Sequence, residues 1–150
     1  MSEERFAIRL AVYLVLIKDG KTLLSRRYKT GWQDGNYSLV AGHVDGNEPA
    51  TTALIREVKE EAGLDLSPGD VRAVHTMHRY SLDVEYIDIF FTADKWGGLP
   101  TIREPEKCDD LQWFAVDNLP ENTLPYVRDA IANIQKGVPY SESGWRGDAI

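Results

Sequence analysis

Glu57, Glu60 and Glu61 stand three and four residues apart in a segment that opens at Glu48-Pro49 and runs to Ala62 without a further Pro or any Gly. At about 100° per residue they share one arc of a helix, beside an apolar arc made of Leu54, Ile55, Val58 and Ala62. A solvated acidic face is the ordinary reading of such a stripe. Like charges at these spacings, however, each cost about 0.2–0.5 kcal/mol, and only Arg56 lies within helical reach of Glu60 to offset them. The cluster therefore calls for a cation. Carboxylates are hard oxygen ligands suited to Mg²⁺ or Mn²⁺, whereas zinc would call for His or Cys, which the segment lacks. Gly42, having no side chain, can bring its main-chain carbonyl close as a further oxygen donor. His43 is adjacent but is not needed as a ligand.

Positioning these groups requires a helix that starts near Glu48-Pro49 and stops at Gly63, which fits the preference for Pro in a first turn and Gly just past a last one. Around it the chain is rich in strands. Phe6 to Ile17 is an apolar strand, and Asp19-Gly20 turns it into a hairpin with Thr22 to Leu24, both turn residues tolerating positive φ. A loop of turn formers from Ser25 to Asn36 carries Arg26, Arg27, Lys29 and Trp32, and a short strand follows at Tyr37 to Val40. The runs Val71 to Tyr80 and Val84 to Ala93 pair as antiparallel strands, and Leu111 to Val116 is one more. Val127, Ile131 and Ile134 mark a second amphipathic helix over Pro125 to Lys136, closed by Gly137. Tyr140 to Ile150 reads as a partly ordered tail.

The 150 residues, 43% of them hydrophobic, are expected to form a single domain over 1–150. Seventeen basic against twenty-four acidic residues leave a net charge of −7, the wrong sign for a surface that tracks nucleic-acid phosphates. Small anions stay open as ligands, because a bound divalent cation inverts the local field. One cysteine, Cys108, fits a reducing cytoplasm and excludes a disulfide scaffold. The acidic start, Met1 to Arg5, has no signal-peptide pattern, and the apolar run Leu10 to Ile17 is far short of the roughly 20 residues that cross a bilayer. No membrane partner is expected.

Read together, Gly42, Glu48, Arg56-Glu57-Val58-Lys59-Glu60-Glu61 and Gly63-Leu64 follow the pattern G-x5-E-x7-R-E-U-x-E-E-x-G-U, where U is aliphatic, at every specified position. This resembles the signature of the Nudix hydrolases, of the MutT-like kind. The resemblance implies an α/β/α sandwich with a central mixed β-sheet and an Mg²⁺-dependent hydrolase, Mn²⁺ being an alternative. It implies metal ligands at Glu60, Glu61 and the Gly42 carbonyl, with Glu57 as base or further ligand. Arg56 would orient a glutamate, and Glu48 would buttress the loop. Ala41 and Asn47 depart from the glycines that relatives often carry there. Neither removes a ligand, and Asn tolerates left-handed backbone angles.

By the same resemblance, water would attack phosphorus in a nucleoside triphosphate or another nucleoside diphosphate derivative. Arg26, Arg27 and Lys29 are candidates for phosphate contacts, or else a solvated strand end. The run Arg103-Glu104-Pro105-Glu106-Lys107-Cys108 before Trp113-Phe114 is similar to a segment of some Nudix pyrophosphohydrolases. One acid there, Glu106 in preference to Glu104, is a candidate ligand, although ordinary loop acidity explains both equally well. Trp32, Tyr37, Tyr80 and Trp113 could stack on a base, but large aromatics more often pack. His75 and His78 lie on opposite strand faces and are not a joint metal site. The rival readings are an ADP-ribose or dinucleotide pyrophosphatase, a diphosphate isomerase, disfavoured for want of its Cys–Glu pair, and a nucleotide sensor without turnover. A homodimer is compatible with the family.

Overall fold

The structure is a computed structural model, and it describes residues 4–145. In chain order the elements are β1 (Arg9–Leu14), β2 (Ile17–Lys18), β3 (Lys21–Arg27), β4 (Tyr37–Ser38), β5 (Val40–His43), α1 (Ala50–Ala62), β6 (Val71–Ser81), β7 (Val84–Ala93), β8 (Cys108–Ala115), α2 (Pro125–Gln135) and β9 (Tyr140–Ser143). A five-stranded sheet has the order β5-β1-β7-β6-β9. It is mixed: β1 runs parallel to β7 and β6 parallel to β9, while β1–β5 and β6–β7 are antiparallel. In a smaller sheet β3 pairs with β8 and with β2 and β4.

The interior strand β1 explains the layering. Every residue from Ala11 to Leu16 is buried, as a strand covered on both faces must be. Ala11, Tyr13 and Val15 face a core shared with Tyr126, Val127, Ala130 and Ile131 of α2. Val12, Leu14 and Leu16 face the opposite core, with Ala53, Leu54, Val58 and Ala62 of α1. Successive side chains thus pack against different helices, and the expected α/β/α sandwich around a mixed sheet is present.

The expected helices and the β6–β7 hairpin form close to their predicted bounds, but the first hairpin is short: the strand expected over Phe6 to Ile17 divides, Arg9–Leu14 joining the large sheet and only Ile17–Lys18 pairing with β3. Asp19 and Gly20 take φ of 53° and 72°, and Leu82 and Asp83 take 51° and 64°, so each two-residue turn carries two left-handed residues. Gly63 ends α1 with a φ of 69°, its N–H bonded to the Lys59 carbonyl. Pro49 is the cap residue ahead of α1 rather than a member of its first turn. The strand expected over Tyr37 to Val40 divides at Leu39, because its first half pairs with β3 of the small sheet and its second half with β1 of the large one.

The first part of the expected tail is ordered. Tyr140–Ser143 is β9, a parallel edge strand on β6, and it is held by His75, whose ring bonds the Val138 carbonyl at 2.7 Å and the Ser141 hydroxyl at 2.8 Å. Trp145 donates its indole N–H to the His78 carbonyl at 3.1 Å and packs on His78 and Tyr80. The missing signal was pairing: a short polar edge strand has little apolar periodicity of its own to read. The remainder of that tail, 146–150, lies outside the described residues. Among the described residues no helix is long and apolar enough to cross a membrane.

Candidate active site

The helix α1 packs directly behind β5, and the acids at 57 and 61, one turn apart, both face that strand. Glu61 accepts the Ala41 N–H at 3.1 Å. Glu57 lies against Gly42 so closely that a Cβ at position 42 would overlap its Cγ and Cδ and stand 2.7 Å from its Oε2. Only glycine lets the strand approach the carboxylate in this way. Asn47, in the connection between them, takes a φ of 56°, the left-handed turn its residue type permits.

Arg56 organises the outer acids. Its Nη2 donates to Glu48 at 2.7 Å and its Nη1 to Glu57 at 2.8 Å, while Glu60 stands 3.9 Å away and is half exposed. Glu48 also lies 3.5 Å from the Asp45 N–H and so ties the loop to the helix. Glu57, Glu60 and Glu61 therefore keep separate partners and are not drawn together. Among the described residues no group of three acid, His or Cys side chains is already closed into a metal cage.

The electrostatics favour a cation all the same. Burial pushes the Glu61 carboxyl from its ordinary 4.5 up to about 8; the Ala41 N–H pulls the other way, and the charges of Glu57 and Glu104 add to the rise. Burial also raises Glu57, against the pull of Arg56. Two partly buried acids held above their ordinary range behind one strand are costly to ionise, and a divalent ion would offset that cost. Hard carboxylate and carbonyl oxygens, with the Gly42 main chain brought close by its missing Cβ, are a donor set that suits Mg²⁺.

A cavity of about 680 Å³ opens beside these groups, on the α2 side of the sheet. Gly42, His43 and Glu61 line one end, and Arg27, Lys29 and Lys107 bring positive charge to its wall. Arg27 is held by the Trp32 carbonyl at 2.6 Å and lies over the Trp32 ring at 4.9 Å. Cys108 is also on the wall, hydrogen-bonded by Ser25 at 3.1 Å.

Not every expected residue joins this cavity. Arg26 points to Asp109 at 2.7 Å and covers the Tyr37 ring, away from the cavity. Its neighbour Arg27 has the opposite strand parity, which is why the two separate. Glu104 lines the cavity and raises the Glu61 carboxyl, whereas Glu106 is exposed and off the wall; the turn that bonds the Lys107 N–H to the Glu104 carbonyl directs them apart. Of the aromatics, Trp32 lines the cavity. Tyr37 is buried and hydrogen-bonded to Asp110, Tyr80 packs on Trp145, and Trp113 stacks on Trp96 against the α1 core.

A second polar group in the cavity has no counterpart in the sequence reading. Arg79 of β6 makes a two-point pair with Asp88 of β7, at 2.6 and 3.2 Å, and both are buried. Its Nη2 also donates to the Tyr13 hydroxyl at 3.2 Å, and the rings of Tyr86 and Tyr126 each lie 4.2 Å from its guanidinium carbon. The available signal was parity: Arg79 shares the inward register of Met77, and Asp88 that of Phe90.

Similar proteins share this arrangement of chain. The NAD-capped RNA hydrolase NudC of Stutzerimonas stutzeri is 34% identical over 122 residues, which cover 79% of this chain and 40% of that one. This chain thus spans about two fifths of the length of that relative. The oxidized purine nucleoside triphosphate hydrolase of Danio rerio is 28% identical across 77% of this chain and 71% of its own. The crystal structure of a MutT NUDIX hydrolase from Burkholderia pseudomallei superposes with a TM-score of 0.78 at 27% identity, over 85% of this chain and 98% of that one. A family model described as the NUDIX domain matches residues 7–134, a span that takes in α1, nearly all of α2 and the residues lining the cavity, and the chain accordingly belongs to that family.

Proposed function

We propose that the protein is an Mg²⁺-dependent hydrolase that cleaves a pyrophosphate bond in a nucleoside triphosphate or a related nucleoside diphosphate derivative. The observation that carries this reading is the seating of Glu57 and Glu61 on the bare backbone of Ala41-Gly42 at the end of a cavity with basic walls. Glu60, Glu61 and the Gly42 carbonyl would hold the metal, with Glu57 as a further ligand or as the base. A bound divalent ion supplies charge neutralisation at the phosphates and lowers the pKa of attacking water.

The chain's own groups do the rest. Glu57, kept in place by Arg56 and by Gly42, takes the proton as water oxygen bonds to phosphorus and the phosphoanhydride P–O bond breaks. Arg56 is a positioning residue, and Glu48 holds Arg56. Arg27 and Lys29 face the cavity and would take phosphate oxygens by charge-assisted hydrogen bonds; Arg26 does not share that role. Glu104 replaces Glu106 as the outer acid, because it stands on the wall with Glu61. The unpaired Cys108 supports a cytoplasmic setting, and the substrate in this reading is a small nucleotide.

Phosphate release from a panel of nucleoside triphosphates, oxidised nucleotides, ADP-ribose and diadenosine polyphosphates, with and without Mg²⁺, tests the proposal. Metal-dependent product from at least one of them is expected. Nucleotide binding with no product under Mg²⁺ or Mn²⁺ would replace it with the sensor reading.

A further inference from the structure

The surroundings of Arg79 leave one part of its guanidinium unused. Its Nε and Nη2 are taken by Asp88, Nη2 also serves Tyr13, and the Tyr86 and Tyr126 rings lie over the group. Among the described residues no acceptor pairs with Nη1. Arg79 is only 4% exposed, so an unpaired nitrogen there should be costly, yet Nη1 is not sealed away: the buried side-chain polar atom left without a partner is Thr22 Oγ1. The opening that Nη1 meets is the cavity, whose wall Arg79 forms.

Placement across the sheet says which part of a ligand would arrive there. Gly42 is on β5 and Arg79 on β6, with β1 and β7 between them. Three strand spacings put the two backbones about 14 Å apart across the sheet, and the Arg79 side chain reaches back over β7 as far as the Tyr13 hydroxyl of β1. A nucleotide whose phosphates lie at the Gly42 and Glu61 end would therefore bring its base to Arg79. Charge points the same way, because Asp88 already neutralises Arg79, and a paired arginine is a poor anchor for phosphate but a good fixed donor to a neutral acceptor. Guanidinium nitrogens donate and never accept. Tyr86, stacked on His43 with ring centroids 6.2 Å apart, walls the cavity beside the donor.

We propose that Arg79 is a specificity-determining residue whose Nη1 donates to a ring carbonyl of the substrate's nucleobase, so that the cavity takes guanine, cytosine, uracil or thymine nucleotides and disfavours adenine. Adenine carries no ring carbonyl and presents an amino donor instead. The proposal rests on the nucleotide-hydrolase reading for the identity of the ligand, and its test is made independent of turnover.

Calorimetric binding of GMP, CMP, UMP, AMP and 2-aminopurine riboside monophosphate to the metal-free protein is the experiment. 2-Aminopurine keeps the guanine frame but lacks the carbonyl, so this comparison needs no variant. AMP and the 2-aminopurine nucleotide are expected to bind about tenfold to a hundredfold more weakly than GMP, the cost of a donor left without its acceptor. Arg79→Lys retains a cation opposite Asp88, loses Nη1, and should level the series. Equal binding of GMP and its 2-aminopurine analogue, no binding of any mononucleotide, or a preference that survives in Arg79→Lys would each overturn the proposal. Those failures leave metal-dependent hydrolysis standing, whereas discrimination between bases without any hydrolysis would remove the hydrolase reading and keep this one.

Discussion

Arg56 and Arg79 both bind carboxylates at hydrogen-bond distance, yet they do so in opposite surroundings. Arg56 is a third exposed and divides itself among Glu48, Glu57 and the more distant Glu60. Arg79 is buried, meets Asp88 at two points, and is enclosed by three tyrosines. In high dielectric an arginine can exchange partners at little cost, so the α1 cluster can rearrange around an incoming cation. In the sheet the same exchange would strand a charge, so the β6–β7 pair is rigid. One fold thus keeps an adaptable ionic group on the surface of α1 and a fixed one buried between β6 and β7.

The largest effect should come from breaking the rigid pair. Asp88→Ala leaves Arg79 buried without its carboxylate and should cost about 3–5 kcal/mol in chemical denaturation. A loss near that of a surface pair would mean that water reaches Arg79. Next is Gly42→Ala, whose new methyl collides with Glu57. Overpacking of this kind costs about 1–3 kcal/mol, and here it should also remove metal-dependent turnover. Wild-type activity in that variant would show that β5 and Glu57 need not touch.

Glu60→Gln should leave the melting curve intact, since Glu60 is half exposed, and abolish hydrolysis. Arg56→Ala follows, with a fall of about 10–100-fold in apparent Mg²⁺ affinity through lost orientation of Glu57 and little change in thermal midpoint. A midpoint that drops as far as in Asp88→Ala would erase the contrast between the two arginines.

The pH response is a gentler probe. With Glu61 raised from 4.5 to about 8, the folded protein binds the extra proton across that interval. Its contribution to the stability of the metal-free protein is thus complete below 4.5 and is lost as pH rises through about 8. Mg²⁺ needs the ionised form, so its affinity should climb with pH up to about 8, with proton release visible in calorimetry across buffers. The smallest effect is expected for Arg26→Ala, which loses an exposed partner, Asp109, and should change neither stability nor turnover measurably.

Much of the α1 site is legible as linear spacing because helical neighbours are sequence neighbours: Arg56 reaches Glu60 one turn on, and Glu57 and Glu61 share a face. The division between Arg26 and Arg27 follows from strand alternation, and so does the inward register of Arg79, although that register identifies no partner. The choice between Glu104 and Glu106 is not legible, since a turn of the connecting loop decides it. β9 escapes for a related reason, its partner lying some sixty residues earlier in β6.

Residue types and their intervals determined by themselves the tight turns, both helices, the acid cluster on α1 and the hard-oxygen character of its side chains, because each depends on local backbone geometry or residue chemistry. The tertiary structure alone decided that Gly42 meets Glu57, that Arg79 finds Asp88 between tyrosines, and that both ends open on one cavity. Those are contacts between chain segments brought together by strand order and register, and strand order is set by the burial of both faces of β1 rather than by any local preference.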